Sequence, residues 1–327
     1  MNKAFIDQAV CVAFLLLLAT GLRVSAEAPD AVVAGDGSGD YTIIQAAIYG
    51  APYRASGPPW VIQVKPGRYE ERVYVQRERG HLRLVGDDPA TTILTGGLHA
   101  KMEGPDGEAI GTFRTPTLQI DGDGFEVENL TIENSAGPVG QALALRTDGD
   151  RLVFRNCRLL GWQDTVFLNR GRVYFERCTI EGHVDFIFGG AVAWFEDCGI
   201  HCRGGGYVTA ASTPREQPYG FVFHNCRLTA APDAKVYLGR PWRPYAMTAF
   251  VDCELGDAVR PEGWHIWAVR DPSTIRYSER GNAGPGADTD TREPWAREES
   301  PPLSIEKVFG GADPWRPVVT REPKVGP

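Results

Sequence analysis

The chain has 327 residues, 43% of them hydrophobic, with 38 Gly, 24 Pro and a formal net charge of −8. An acidic chain without a basic run lacks the footprint of a nucleic-acid binder, and no stretch after residue 26 approaches the ~18 apolar residues of a membrane span. The length allows one large domain or two ordinary ones, and the frequent Gly and Pro turn signals favour an all-β chain of many short strands.

The N-terminus reads as a targeting segment. Lys3 precedes an apolar core, AVCVAFLLLLA (9–19), and VSA ends at Ala26 with the small residues of a cleavage site. We therefore expect residues 1–26 to be a cleaved signal peptide and the product to be secreted, or periplasmic in a bacterium, with no membrane attachment afterwards. Residues 27–327 are then expected to form one domain. Cleavage removes Lys3, Asp7 and Arg23, which leaves a net charge of −9. Next in chain order, YTIIQAAIYGA (41–51) predicts a short amphipathic helix that caps the first repeat. WVIQVKPGRYEERVYV (60–75) and HLRLVGD (81–87) read as strands.

From residue 127 the chain repeats itself. VENLTI (127–132), FRNCRL (154–159), FERCTI (175–180), FEDCGI (195–200), FHNCRL (223–228) and FVDCEL (250–255) are variants of one phrase. The Cys spacings are 21, 20, 28 and 27 residues. Strand-like repeats of that period predict a solenoid, a parallel β-helix in which apolar side chains stack on their equivalents in the next coil. A β-sandwich also uses many short strands but does not explain the repeated phrase. From about 256 to 327 the period fades into an irregular C-terminal tail expected on the outside of the solenoid. Stacking brings the Cys positions within disulfide reach, and Cys178 with Cys198 is the best candidate pair, buried free thiols being the alternative. No His/Cys spacing points to a metal; CGIHC (198–202) is isolated. Asn129 opens an NLT triplet but falls in the repeat phrase, where a stacked structural role outranks glycosylation.

Asp164, in GWQDTVF, lies seven residues after Cys157, and Asp185, in HVDFIFG, seven after Cys178. The two carboxylates thus occupy one position on neighbouring coils, about one strand spacing apart. Two carboxylates that close cannot both ionise cheaply, so one keeps its proton, giving an acid and a nucleophile or base in one site. Gln163 adjoins Asp164, and Gln141 lies about one coil earlier; each amide is either a donor into the same cleft or a surface residue. Arg240 and Trp242, in LGRPWRPY, add a cation suited to a carboxylate and a ring suited to a sugar face.

These segments, with DGSGDYTIIQAAI, PGRYEERV, TFRTPTL, NSAGPVGQALAL and GNAGPGAD, resemble the pectin methylesterase (pectinesterase) family, from about residue 35 to 288. The resemblance implies a right-handed parallel β-helix that hydrolyses methyl esters of galacturonic acid in pectin and releases methanol, without metal or cofactor. It implies Asp185 as nucleophile and Asp164 as proton donor and then general base. It implies Gln141 and Gln163 as donors to the oxyanion, and Arg240 as the partner of Asp185. Trp242, Thr112, Phe167 and Phe188 are implied substrate contacts. Phe167 stands where the family often has Tyr, Gly190 where plant members often have Asn, and Arg280 where Tyr is common. YVTAASTP (207–214) looks nearer a bacterial-type branch.

Other readings have sequence signatures to meet. A polygalacturonase would need three close Asp and a Gly-His-Gly turn, which is absent. A pectate lyase would need calcium-binding acids and an Arg or Lys base. A serine hydrolase would need G-x-S-x-G, whereas the chain around Ser38 reads DGSGD. DGSGD also lacks the Lys and the strand-loop-helix context of a phosphate loop. The non-enzyme alternative is a polysaccharide-binding β-helix with a vestigial site. The expected partner is methylated pectin, bound by a monomer.

Overall fold

The computed structural model describes residues 28–53, 58–296 and 301–317. The expected signal peptide lies outside the described residues. The strands pair in parallel in every named ladder, which excludes the sandwich and gives a parallel β-helix. One face is a ten-stranded sheet whose order follows the chain: Ala31–Val33, Trp60–Val64, Leu82–Gly86, Glu126–Glu128, Leu152–Arg155, Arg172–Glu176, Val192–Glu196, Phe221–His224, Met247–Val251 and Arg276–Arg280. The other two faces are joined into one sheet of thirteen strands by the long strands Thr179–Gly189 and Gly199–Ala211, which turn a corner without breaking.

The repeat phrase is the corner between two faces. Its Phe residues line the core as a ladder: Phe154, Phe175, Phe195, Phe223 and Phe250 stack with centroids 4.8, 4.7, 4.4 and 4.5 Å apart and near-parallel planes. That spacing is the strand repeat itself, so one choice of residue per coil fills the core by translation. The residue before each Cys, or before Leu130 in the Cys place, turns the chain with a left-handed backbone: Asn129, Asn156, Arg177, Asp197, Asn225 and Asp252 all have φ between 47° and 53°. Asn and Asp tolerate this conformation best, and their side chains pair along the ladder. Asn156 donates to Asn129 Oδ1 at 2.8 Å, and Asn225 donates to Asp197. Asn129 is therefore a stacked structural residue, as the phrase implied.

The Cys ladder is not cross-linked. Cys157, Cys178, Cys198, Cys202, Cys226 and Cys253 are all buried and free, so the expected Cys178–Cys198 disulfide is absent. In-register parallel neighbours hold their Cβ atoms about one strand spacing, 4.7–4.9 Å, apart, beyond the ~3.5–4.5 Å a disulfide takes. Instead Cys178 N–H donates to Cys198 Sγ at 3.4 Å, and the Cys178 thiol donates to the Phe154 carbonyl at 3.4 Å. His201 bonds Thr229 Oγ1 and joins no metal cluster; none exists among the described residues.

The helix Ile44–Gly50 is present and buries Ile44, Ala47 and Ile48 against the first strands. The tail departs from expectation at one place: Arg276–Arg280 adds a tenth strand to the first face, in register with Met247–Val251. Its alternating burial was obscured by charge at both ends, Arg276 and Arg280. Beyond it the chain runs outside the solenoid as expected. Val308 and Phe309 cover Tyr174, Trp194 and Val222 on the outer surface of the ten-stranded face. Among the described residues no helix is long and apolar enough to cross a membrane.

Candidate active site

The site lies where Val166–Leu168 pairs with the second half of Thr179–Gly189. Val166 is opposite Ile187 and Phe167 opposite Phe188. Asp164 and Asp185 each lie two residues before these pairs, so they are in register, and Asp164 N–H donates to the Val184 carbonyl at 3.0 Å. Both have left-handed backbones, φ 62° and 51°. Non-Gly residues in that conformation cost about 1 kcal/mol or more each and collect where a site over-determines them. Glycine makes the corner possible. A Cβ on Gly161 would lie 2.7 Å from Thr165 Oγ1, and one on Gly182 2.3 Å from Phe186 Cβ.

The two carboxyls share a position but not an environment. Asp185 is 6% exposed and receives the Arg240 fork: Nε to Oδ1 at 2.9 Å and Nη2 to Oδ2 at 2.6 Å. Burial pushes its carboxyl above the usual range, and this bidentate pair, with the charge on Arg240, offsets part of that rise. Asp164 is half-buried and has no such partner among the described residues. Burial, then the neighbouring charge of Asp185, push its carboxyl up to about 8, with Arg240 offsetting part of this. At neutral pH Asp164 therefore keeps its proton, beside an Asp185 that is paired with Arg240.

Gln163 pairs with Gln141 in a parallel bridge on the preceding coil. The loop before the site is tied to the same position, because Ala100 N–H donates to the Gln141 carbonyl at 2.8 Å and Gly111 N–H to the Ala100 carbonyl at 3.0 Å. That loop ends in the turn Thr112–Arg114. Thr112 therefore sits at the rim, and its neighbour Phe113, 45% exposed, packs its ring 5.0 Å from Phe167. Phe167 stacks on Phe188 at 4.6 Å, and Trp242 meets both rings edge-on at 6.5 and 5.8 Å. Trp242 is placed by its N–H bond to the Ala211 carbonyl, and Arg240 by its N–H bond to Thr209. The structure thus brings together every residue singled out from the sequence: Asp164, Asp185, Gln141, Gln163, Arg240, Trp242, Phe167, Phe188 and, at the rim, Thr112. Phe167 keeps an aromatic face where the family often has Tyr.

Four residues beside the site were missed. Phe113 was inside the quoted TFRTPTL and needed only its neighbour's logic. His183 lies two residues before Asp185, with its ring 5.5 Å from Trp162. Tyr207 and Trp267 lie against the Arg240 guanidinium, 4.0 and 3.9 Å from its carbon to their ring centroids. Tyr207 follows the inserted Arg203-Gly204-Gly205-Gly206, which breaks the coil period, and Trp267 falls in the tail where the period had faded.

The pectinesterase family model matches residues 30–302. The chain is 42% identical over 283 residues to putative pectinesterase/pectinesterase inhibitor 38 of Arabidopsis thaliana, covering 83% of this chain and 58% of that protein. It is 39% identical over 275 residues to Arabidopsis pectinesterase 31, covering 81% of this chain and 86% of that protein. It spans about half the length of the pectinesterase/pectinesterase inhibitor relatives, 58% and 46% for two of them. Among solved structures, carrot pectin methylesterase superposes with a TM-score of 0.78 at 34% identity, covering 86% of this chain and 90% of that one. The Erwinia chrysanthemi enzyme gives 0.76 at 28% identity, covering 89% and 99%. The bacterial-type affinity read from YVTAASTP is not borne out, since plant relatives reach 42% identity and the Erwinia structure 28%. With the family model covering most of its length and plant pectinesterases matching most of its residues, the chain belongs to the pectinesterase family.

Proposed function

We propose that the protein hydrolyses methyl esters of galacturonic acid units in pectin, releasing methanol and leaving demethylated pectin. The observation that carries this reading is the pair of in-register carboxylates with opposite environments, one forked by Arg240 and one held near pKa 8. Asp185 attacks the ester carbonyl carbon through one carboxylate oxygen. The oxyanion that forms accepts hydrogen bonds from the side chains of Gln141 and Gln163. The C–OCH3 bond breaks, and Asp164 gives its proton to the leaving methanol. Asp164, now charged, takes a proton from water, which hydrolyses the acyl–Asp185 anhydride and restores both carboxyls. Thr112, Phe113, Phe167, Phe188 and Trp242 form the wall on which the sugar chain lies.

A solved pectin methylesterase mutant in complex with a hexasaccharide is 27% identical to this chain, with a TM-score of 0.76. That complex supports a polymeric sugar as the partner here. We read residues 1–26 as a secretion signal, residues 27–327 as one catalytic domain, and the protein as a secreted monomer. The alternative, a binding β-helix without activity, does not account for the Asp164 proton held against the usual carboxylate range. The test is methanol release from methylated pectin by wild type, Asp185→Ala and Asp164→Ala. Wild type is expected to be active, Asp185→Ala inactive, and Asp164→Ala slower by about 10²–10⁴-fold. Undiminished release by Asp185→Ala removes the nucleophile assignment. A folded wild type that binds pectin without releasing methanol supports the binding alternative.

A further inference from the structure

The reading of Asp185 as nucleophile makes its one cation decisive, and the following rests on that reading. Arg240 uses the in-plane edge of its guanidinium, Nε and Nη2, for the two bonds to Asp185. This leaves the two flat faces of the group for other contacts. Tyr207 and Trp267 take those contacts, with ring centroids 4.0 and 3.9 Å from the guanidinium carbon. We propose that Tyr207 and Trp267 form an aromatic clamp that fixes the Arg240 fork on Asp185 and keeps water off the ion pair, with Tyr207 as a positioning residue for the reaction.

Three features support the clamp. First, Arg240 hangs on a loop residue just past Val236–Gly239, and a long side chain there would otherwise sample many rotamers; stacking on a planar guanidinium removes them. Second, Tyr207 is itself held from behind. It is in register with Tyr237, stacked at 5.4 Å and 10°. His265 packs 5.4 Å from Tyr207 and 5.2 Å from Tyr237, and Arg260 lies 5.1 Å over Tyr237. One stack thus runs from Arg260 over the Tyr237–Tyr207 pair to Arg240 and Trp267. Third, the clamp accounts for a large exposed aromatic. Trp267 is 46% exposed, yet its ring sits on Arg240, whose side chain is only 16% exposed.

Tyr207 is also tied to the catalytic coil, because it pairs with Val184, the residue before Asp185. The groups that act on the Asp185 charge are Asp164 on the preceding coil, His183 on its own strand, Arg240, and the phenol of Tyr277 from the next coils. Of these, Arg240 carries the full opposite charge and the clamp bears on it alone. Loosening the clamp therefore moves Asp185 in one direction, toward protonation.

The test compares Tyr207→Phe, which keeps the ring, with Tyr207→Met, which keeps bulk and removes the π-face. Methanol release is measured against pH for kcat and KM, and the Asp185 carboxyl is titrated by 13C NMR in each variant. Thermal melts establish that each is folded. Tyr207→Phe is expected to match wild type within about twofold. Tyr207→Met is expected to lose roughly tenfold in kcat with little change in KM, and to shift the Asp185 titration upward by about one unit. Unchanged kcat and an unshifted titration in Tyr207→Met would overturn the clamp. So would equal damage from Tyr207→Phe, which would assign the effect to the hydroxyl. A wild type that releases no methanol would instead sink the pectinesterase reading, and the titration would still decide the clamp.

Discussion

Replacing Asp164 with Asn should stabilise the protein while abolishing most of its activity, and the gain should depend on pH in a way that reports the protonation state. In the unfolded chain this carboxyl loses its proton near the usual 3.8, whereas in the folded protein burial and Asp185 hold the proton until about pH 8. Between those values the native state binds more protons than the unfolded state, so folding stability falls as pH rises through that window. Each unit of displacement is worth about 1.4 kcal/mol. At pH 7 the ceiling is therefore ~4 kcal/mol, and solvent reaching the half-buried group brings the expected value to about 2 kcal/mol. Asn is nearly isosteric with the protonated carboxyl and does not titrate. Its stability relative to wild type should thus start near zero below pH 4 and grow to a plateau near pH 8.

The neighbouring substitution should have the opposite sign. Asp185→Asn leaves Arg240 buried without its counter-charge, which should destabilise the fold by roughly 3 kcal/mol. Urea midpoints of wild type and both variants, measured from pH 4 to 8, provide the comparison. A pH-independent gap for Asp164→Asn, or a loss of stability near pH 7, would show that Asp164 is ionised in the native state. The acid and nucleophile assignments would then have to be exchanged.

Other consequences of the structure can be tested by stability alone. Phe195→Ala removes the middle rung of the core ladder, between Phe175 and Phe223 at 4.7 and 4.4 Å, and should cost about 3–5 kcal/mol in chemical denaturation. Arg292→Ala should cost a similar ~3–5 kcal/mol, because Arg292 is 2% exposed and binds both oxygens of the buried Glu279 at 2.7 and 3.1 Å. Arg177→Asn should instead stabilise the fold by roughly 0.5–1 kcal/mol in chemical denaturation, since Arg177 holds φ 51° at a corner where the other coils use Asn or Asp.

What could be read from the sequence was whatever recurs once per coil. The Phe-x-x-Cys phrase predicted the core ladder, and the seven-residue offset from Cys predicted that Asp164 and Asp185 would meet. Counting worked there because the segment from Cys157 to Cys198 contains minimal coils, with nothing inserted between one corner and the next. It failed where the count was broken. The Arg203–Gly206 insertion displaces the next coil, so Tyr207 falls opposite Val184 through a bulge that no fixed period would give. Trp267 reaches the site from a tail with no period at all. The disulfide was misread for a related reason: stacking guarantees proximity, but it also fixes the side chains parallel, and a disulfide needs them to converge.

The solenoid pitch explains why the same geometry serves both the core and the site. Apolar rings one strand spacing apart attract, so the Phe ladder lowers the free energy at each added coil. Carboxylates at that spacing repel, and in a low-dielectric cleft the repulsion is strong enough to keep a proton on one of them. The fold therefore generates two inequivalent acids from two equivalent positions, provided that something breaks their symmetry. Arg240 does so by reaching Asp185 from two coils downstream and leaving Asp164 without an ion pair among the described residues. A repeat with a second arginine aimed at Asp164 would hold both carboxylates ionised and lose the acid. A repeat with none would leave the single shared proton free to sit on either. The division of roles is thus set by one side chain outside the repeat, which is why the orientation of Arg240, and the rings that hold it, bear on the chemistry as directly as the carboxylates do.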